Sequence, residues 1–275
     1  MPLQGVLASV ESKLEMSGIG ETIHTITTMH RERNFAMEQR KRANLALGAY
    51  LRVGLGWSKD LPEAERKKIA AAAADLTADH ETYGAMISAV ELARAPFESV
   101  EKTALKEMTR LAETLPVWES FGKNVRGFGA GSLAVIVGEA GDLSNYSTVS
   151  KLWKRMGLAV MDGVRQGGLA KGAGADAWIE HGYSPVRRSR MWNIGDTLIK
   201  GNRDGEYRTA YLARKEYELA RDPEMQPIKA HRRAQRYMEK RLLKHLWQAW
   251  RRAAGIMPEK ATCSLPDAKD IRDAA

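Results

Sequence analysis

Between Met86 and Trp118 ten apolar residues follow one another at intervals of three and four: Met86, Val90, Ala93, Phe97, Val100, Ala104, Met108, Leu111, Leu115 and Trp118, with one repeated four. Such a spacing marks one face of a long helix and requires a second helix to cover it. The natural mate is the stretch from Ile23 to Val53, in the same chain or in a second copy, the latter giving a homodimer. That stretch has no Pro, and its single Gly, Gly48, comes late. Its middle is heavily charged, so much of it faces water or a partner. Pro96 lies inside the long run and removes a backbone donor, which predicts a kink or break there. Pro116 ends the run.

The rest of the chain also reads as helical. "LPEAERKKIAAAAADL" places Pro62 at a first helical position, with acids in the first turn. Asp142, Ser144 and Asn145 are candidate caps before a short helix through Trp153 and Met156. Six glycines between Gly157 and Gly174 predict a loop or a short irregular hairpin. Further helices start near Pro185, run between Gly205 and Pro223, and span 228–254. Strand signals are scarce. The expected fold is mainly α: long paired, coiled-coil-like helices, then a helix-hairpin-helix domain and a basic C-terminal helix. The expected boundaries are a flexible 1–20, a helical 21–118, a DNA-binding 119–254 and a disordered 255–275.

Charge is distributed unevenly. The net charge is +9, and nine Lys and Arg against Glu239 alone fall between Ile228 and Ala254. Apolar Ala234, Met238, Leu242, Leu246, Ala249 and Ala253 line one face of that helix. Arg232, Arg233, Arg236, Lys240 and Lys244 are then candidates to track a nucleic-acid backbone, each releasing a counterion. Tyr237, Trp247 and Trp250 would add stacking on single strands. The alternative is a helix whose tryptophans complete the core while its charges are solvated.

A lone cysteine, Cys263, excludes a disulfide within the chain and cannot build a zinc site. The six histidines lack metal-ligand spacing, so neither metal nor cofactor is expected. The start lacks the basic and apolar regions of a signal peptide, and no apolar run reaches membrane length. The expected location is the cytoplasm, with no membrane partner.

The most informative stretch is "VRGFGAGSLAVIVGEAGDL", residues 125–143. Gly127, Phe128, Gly129 and Gly131 precede an apolar run that reads as a buried helix. Successive N–H groups at a helix N-terminus attract anions, and glycine holds no side chain in the way. Gly-hydrophobic-Gly before such a helix is the pattern of a helix-hairpin-helix turn, which grips nucleic-acid backbone without reading bases. A glycine corner that lets two helices cross closely would look the same. A dinucleotide fingerprint does not fit, because the glycine register is wrong and no strand precedes it.

Residues 125–159 resemble the C-terminal domain of the insertion-sequence one-ten transposase family, with its one-sixteen and nine-oh-two relatives. There a Gly-hydrophobic-Gly hairpin leads into an "LLAEIGDI"-like helix, matched by Val135 to Leu143, then a "GL", matched by Gly157-Leu158. A "VRQSG"-like stretch is matched by Val164-Arg165-Gln166-Gly167-Gly168. "RRSRMWNIGDTLIK" and "RRAQRYMEKRLLKHLWQAW" extend the likeness to roughly 117–252. The resemblance implies DNA binding in a mobile-element or prophage setting. Two departures bear on activity. Gly167 stands where the family has its nucleophilic serine, and residues 1–60 do not read as the family's RNase-H-like domain. Ser184 and Ser189, near arginines, are weak substitutes for that serine, so an active transposase or recombinase is the alternative.

The expected partner is therefore DNA, with structured RNA as a variant and a helical protein-interaction module as the rival class. Besides the hairpin and the basic helix, the expected phosphate contacts are Arg126, Lys151, Lys154, Arg155, Arg187, Arg188 and Arg190.

Overall fold

The computed structural model describes the backbone of residues 3–256 apart from Asp162 and Asn202, with side chains from Gly18 onward. The protein is mainly α, with ten α-helices among the described residues and one small two-stranded sheet. It divides into two compact units. One comprises Thr28–Glu107, and the other Met1–Thr27 with Met108–Ala275.

The 28–107 unit is built from most of α1 (Leu3–Gly54), α2 (Glu63–Asp75) and most of α3 (His80–Glu113). Helix α1 begins well before Ile23, so residues 3–20, expected to be loosely ordered, are helical. Within the unit α1 and α3 run in opposite directions. Arg40 grips Glu101 through two guanidinium nitrogens at 2.7 and 3.3 Å, Arg94 donates to Asn44 at 3.2 Å, and Phe35 meets Phe97 edge-on. Leu47, Leu51, Ala73 and Ile87 close the core where α2 joins. The mate of α3 in this unit is thus α1 of the same chain.

The face α3 uses is not quite the one expected. Met86 and Val100 are 37% and 43% exposed and Ala93 is exposed, while Ile87 is buried. The covered line runs through Ile87, Val90, Arg94, Phe97, Glu101, Ala104 and Met108, so two of its positions are charged. Helix α1 meets those charges with Asn44 and Arg40, which is why an apolar-only search misses them. Pro96 does not break the helix. The one non-helical backbone inside α3 is at Tyr83, with φ −116° and ψ 15°. Pro96 and the preceding turn at Leu92 are exposed, so water can satisfy the carbonyl that proline leaves without a donor.

In the other unit α4 (Pro116–Ser120), with Pro116 at its first position, leads through a 3₁₀ turn at Gly122–Asn124 to α5 (Ala130–Ala140). Then follow α6 (Val149–Arg155), a hairpin of β1 (Val160–Met161) and β2 (Val164–Arg165), and α7 (Ala175–His181). Helices α8 (Pro185–Gly201), α9 (Glu206–Arg221) and α10 (Pro227–Ala253) complete it. The glycine-rich stretch forms the expected hairpin, pairing Val160 with Arg165 and Met161 with Val164. The sequence reading did not find α7. The tail 257–275, with Cys263, lies outside the described residues.

Helix α10 is the axis of this unit, packed by α9, α8, α4, α6 and the turn at Leu143–Asn145. Its buried side chains form two adjoining stripes, Ala230-Ala234-Met238-Leu242-Leu246 and Gln235-Glu239-Leu243-Trp247-Trp250. An arc that wide packs against neighbours on several sides. Each fully buried leucine here contributes about 2 kcal/mol.

Candidate nucleic-acid interface

The hairpin is built by short backbone bonds. Val125 N–H donates to the Gly122 carbonyl at 3.2 Å, and Phe128 N–H to the Val125 carbonyl at 2.9 Å. Gly127 takes φ +86°, a conformation other residues rarely hold. Phe128 is buried and tilts against Phe121, with ring centroids 6.3 Å apart, which anchors the turn from within. Gly129 is the N-cap of α5, and no side chain caps that end.

The three glycines differ in their surroundings. Gly127 needs its positive φ and lies against Gly201, where a Cβ would come within 2.9 Å of the Gly127 Cα. A Cβ on Gly131 would lie 3.4 Å from Thr109 Oγ1, at the edge of ordinary contact, so packing there does not demand glycine. Gly129 is exposed at φ −79° and ψ 162°, and a Cβ there would meet nothing within 4 Å. Neither backbone conformation nor internal packing requires glycine at 129.

The predicted cations divide into two groups. Arg126, Lys151, Arg155, Arg232, Arg233 and Lys244 are exposed. Of these, Arg155 donates to the Glu139 carbonyl and Arg233 pairs with Glu218 at 2.8 Å. Lys154, half-buried, donates to the Glu180 carbonyl. The rest are turned inward. Arg190 and Arg187 approach the Glu139 carboxylate at 2.7 and 3.5 Å, and Arg188 approaches Glu239 at 2.8 Å. Arg236 donates to the Ala159 carbonyl, and Lys240 lies over the Trp153 ring at 4.3 Å. Burial, together with Arg188, lowers the Arg236 guanidinium to about 10.

Of the two readings of the α10 aromatics, the structure bears out the one in which the tryptophans complete the core and not the one in which they stack on single strands. Trp247 donates to the Tyr146 carbonyl and Trp250 to the Asp142 carboxylate, both buried. Tyr237 is partly buried, beneath the Arg214 guanidinium. These rings serve the core, because α10 is enclosed, and none forms an open stacking surface.

Two interior clusters account for much of the charge. On α8, Gly195 makes room for α10: a Cβ there would fall 2.6 Å from Glu239 Oε1 and 2.7 Å from Gln235 Nε2. Gln235 donates to the Trp192 carbonyl. Burial pushes the Glu239 carboxyl up to about 7, with Arg188 and Arg236 pulling the other way. At Glu218 burial would raise the carboxyl. Hydrogen bonds from Arg233 and Arg214 outweigh it and hold the group below the usual range.

Ser184 Oγ accepts from the Arg187 N–H at 3.3 Å, the position of a cap at the start of α8. Ser189 is exposed on α8. Gly167 offers its carbonyl to His181 Nε2 at 2.7 Å. Among the described residues no cluster of His, Cys, Asp and Glu is arranged to hold a metal, and no helix is long and apolar enough to cross a membrane. The sequence reading missed Gly201, whose role appears only once α8 and the hairpin are side by side.

Comparison with family models, curated proteins and solved structures gave no match for this chain.

Proposed function

We propose that the unit containing α4 to α10 binds the phosphodiester backbone of DNA without reading its bases, in a transposase-like protein of a mobile element or prophage. The observation that carries this reading is Gly129. It sits exposed at the N-cap of α5, where no side chain caps the helix, and neither packing nor backbone conformation requires its side chain to be missing. The Ser132 and Leu133 N–H groups donate to the Gly129 carbonyl. The missing side chain therefore clears the approach of an anion to the amides of Ala130 and Gly131, where the helix dipole favours negative charge. Exposed Arg126 adds a cation beside it. The setting in recombination rests on the likeness of residues 117–252 to the transposase family.

The test is titration of labelled duplex DNA across a salt series, with unrelated sequences and a structured RNA as competitors. The reading expects a steep fall of affinity with salt and equal competition by unrelated duplexes. Sequence-selective competition would contradict backbone-only binding, and binding of RNA alone would contradict the assignment to DNA.

A further inference from the structure

Where α8 passes into α9, an open groove of about 680 Å³ is lined by Ile199, Lys200, Arg203, Asp204, Arg208 and Leu212. Three cations face it against one carboxylate. Arg208 is held by donation to the Ile199 carbonyl at 3.1 Å, Lys200 pairs with Asp196 at 2.6 Å while remaining 73% exposed, and Arg203 is exposed. Ile199 and Leu212 supply apolar wall, and Leu212 is 49% exposed.

The groove adjoins the hairpin. Gly201, next to Lys200, is the residue that meets Gly127, next to Arg126. Lys200 and Arg126 are thus each one residue along the chain from this backbone contact. A sugar–phosphate strand alternates apolar sugar with anionic phosphate, and successive phosphates advance about 3.4 Å along the duplex axis. An open trough with cationic and apolar walls suits that alternation better than it suits a small anion, which is held best when enclosed.

We infer that this groove is a second phosphodiester-binding element, which takes the same strand beyond the point where the hairpin holds it. The inference rests on the hairpin reading and extends it to residues that the charge run of α10 would not suggest.

The test compares wild type with Arg203→Ala and with Lys200→Ala/Arg203→Ala, in duplex-DNA titrations across a salt series and in pyrophosphate titrations. Both side chains changed, Lys200 and Arg203, lie at exposed positions, and a melting curve of each variant checks that the fold is kept. The expected result is an affinity loss of roughly fivefold for Arg203→Ala, alike for unrelated sequences, and a salt slope lower by about one per contact removed. Wild-type binding that neither variant alters would overturn the groove and leave the hairpin reading standing. Absence of duplex binding by wild type, with pyrophosphate binding that Arg203→Ala abolishes, would overturn the DNA assignment and make the groove a small-anion site. Absence of binding to either probe would overturn both.

Discussion

Gly201, in the last turn of α8, sits against Gly127 of the hairpin so closely that a Cβ on Gly201 would stand 2.9 Å from the Gly127 Cα and 3.6 Å from its nitrogen. Two backbones in that proximity leave no room for a methyl group. Gly201→Ala is expected to destabilise the protein by about 1–3 kcal/mol, in the range of overpacked interiors. Urea unfolding measures it, and an unchanged midpoint would mean that the hairpin moves away at little cost.

Glu239 gives a pH dependence of definite sign. The unfolded chain ionises this group near 4.5, while the folded chain keeps its proton up to about 7. Between those values the folded state binds more protons, so the contribution of this group is fully present below 4.5 and is lost as pH rises through the window. The effect is at most about 3 kcal/mol. Glu239→Gln should flatten the fall in melting temperature between pH 5 and 8, in the range of roughly two units where the difference is largest. An identical pH profile in the variant would refute a proton held at this site.

Glu218 behaves in the opposite sense. Its carboxyl is held below the usual range by Arg233 and Arg214, and the Arg214 and Glu218 side chains are only 4% and 1% exposed. Its contribution is present above the unfolded value of about 4.5 and is lost as pH falls through the lower folded value. Glu218→Gln leaves Arg214 buried without its counter-charge and should cost about 3 kcal/mol at neutral pH. Chemical denaturation at pH 7 and at successively lower pH should show the gap between variant and wild type narrowing as pH falls below 4.5.

The expectations that held and those that failed differ for a physical reason. Helix existence was legible from period and capping, as with Pro62 before α2 and Gly205 before α9. The exact face was not: the α3 line passes through Arg94 and Glu101 because α1 presents Asn44 and Arg40 to them, and a single-helix pattern cannot show what lies opposite. The same blindness affected α10. Its bases were expected to meet nucleic acid or solvent, yet Arg236 and Lys240 are partly covered, while Trp247 and Trp250 complete the core as the alternative had it. Long basic side chains can lay their stems over apolar neighbours, so charge count overstates exposure on an enclosed helix. At the hairpin the glycine pattern was visible, but that Gly127 is packed against another backbone required its neighbour Gly201.

Pro96 supplies a test of the long helix. It is exposed within α3 without breaking it, and it deprives the helix of one backbone hydrogen bond. Pro96→Ala restores the donor and is expected to stabilise the helix by about 2 kcal/mol, offset in part by greater freedom of the unfolded chain. Amide hydrogen exchange of residues 92–100 should slow. Faster exchange would mean that the proline ring itself makes contacts the helix needs.

The most direct measurement is duplex-DNA affinity across a salt series for wild type and Gly129→Val, with melting curves of both. The observed φ suits valine, and a Cβ at 129 meets nothing within 4 Å. Valine is a poorer N-cap than glycine, so a stability loss of about 1 kcal/mol is expected, and the melting curves check that both proteins stay folded. Its side chain would nevertheless stand over the first amides of α5. Affinity should fall at least roughly tenfold at a temperature where both proteins are fully folded, about the loss of one charge-assisted contact. Equal affinity in the two proteins, or no binding by either, would contradict phosphate capture at this hairpin.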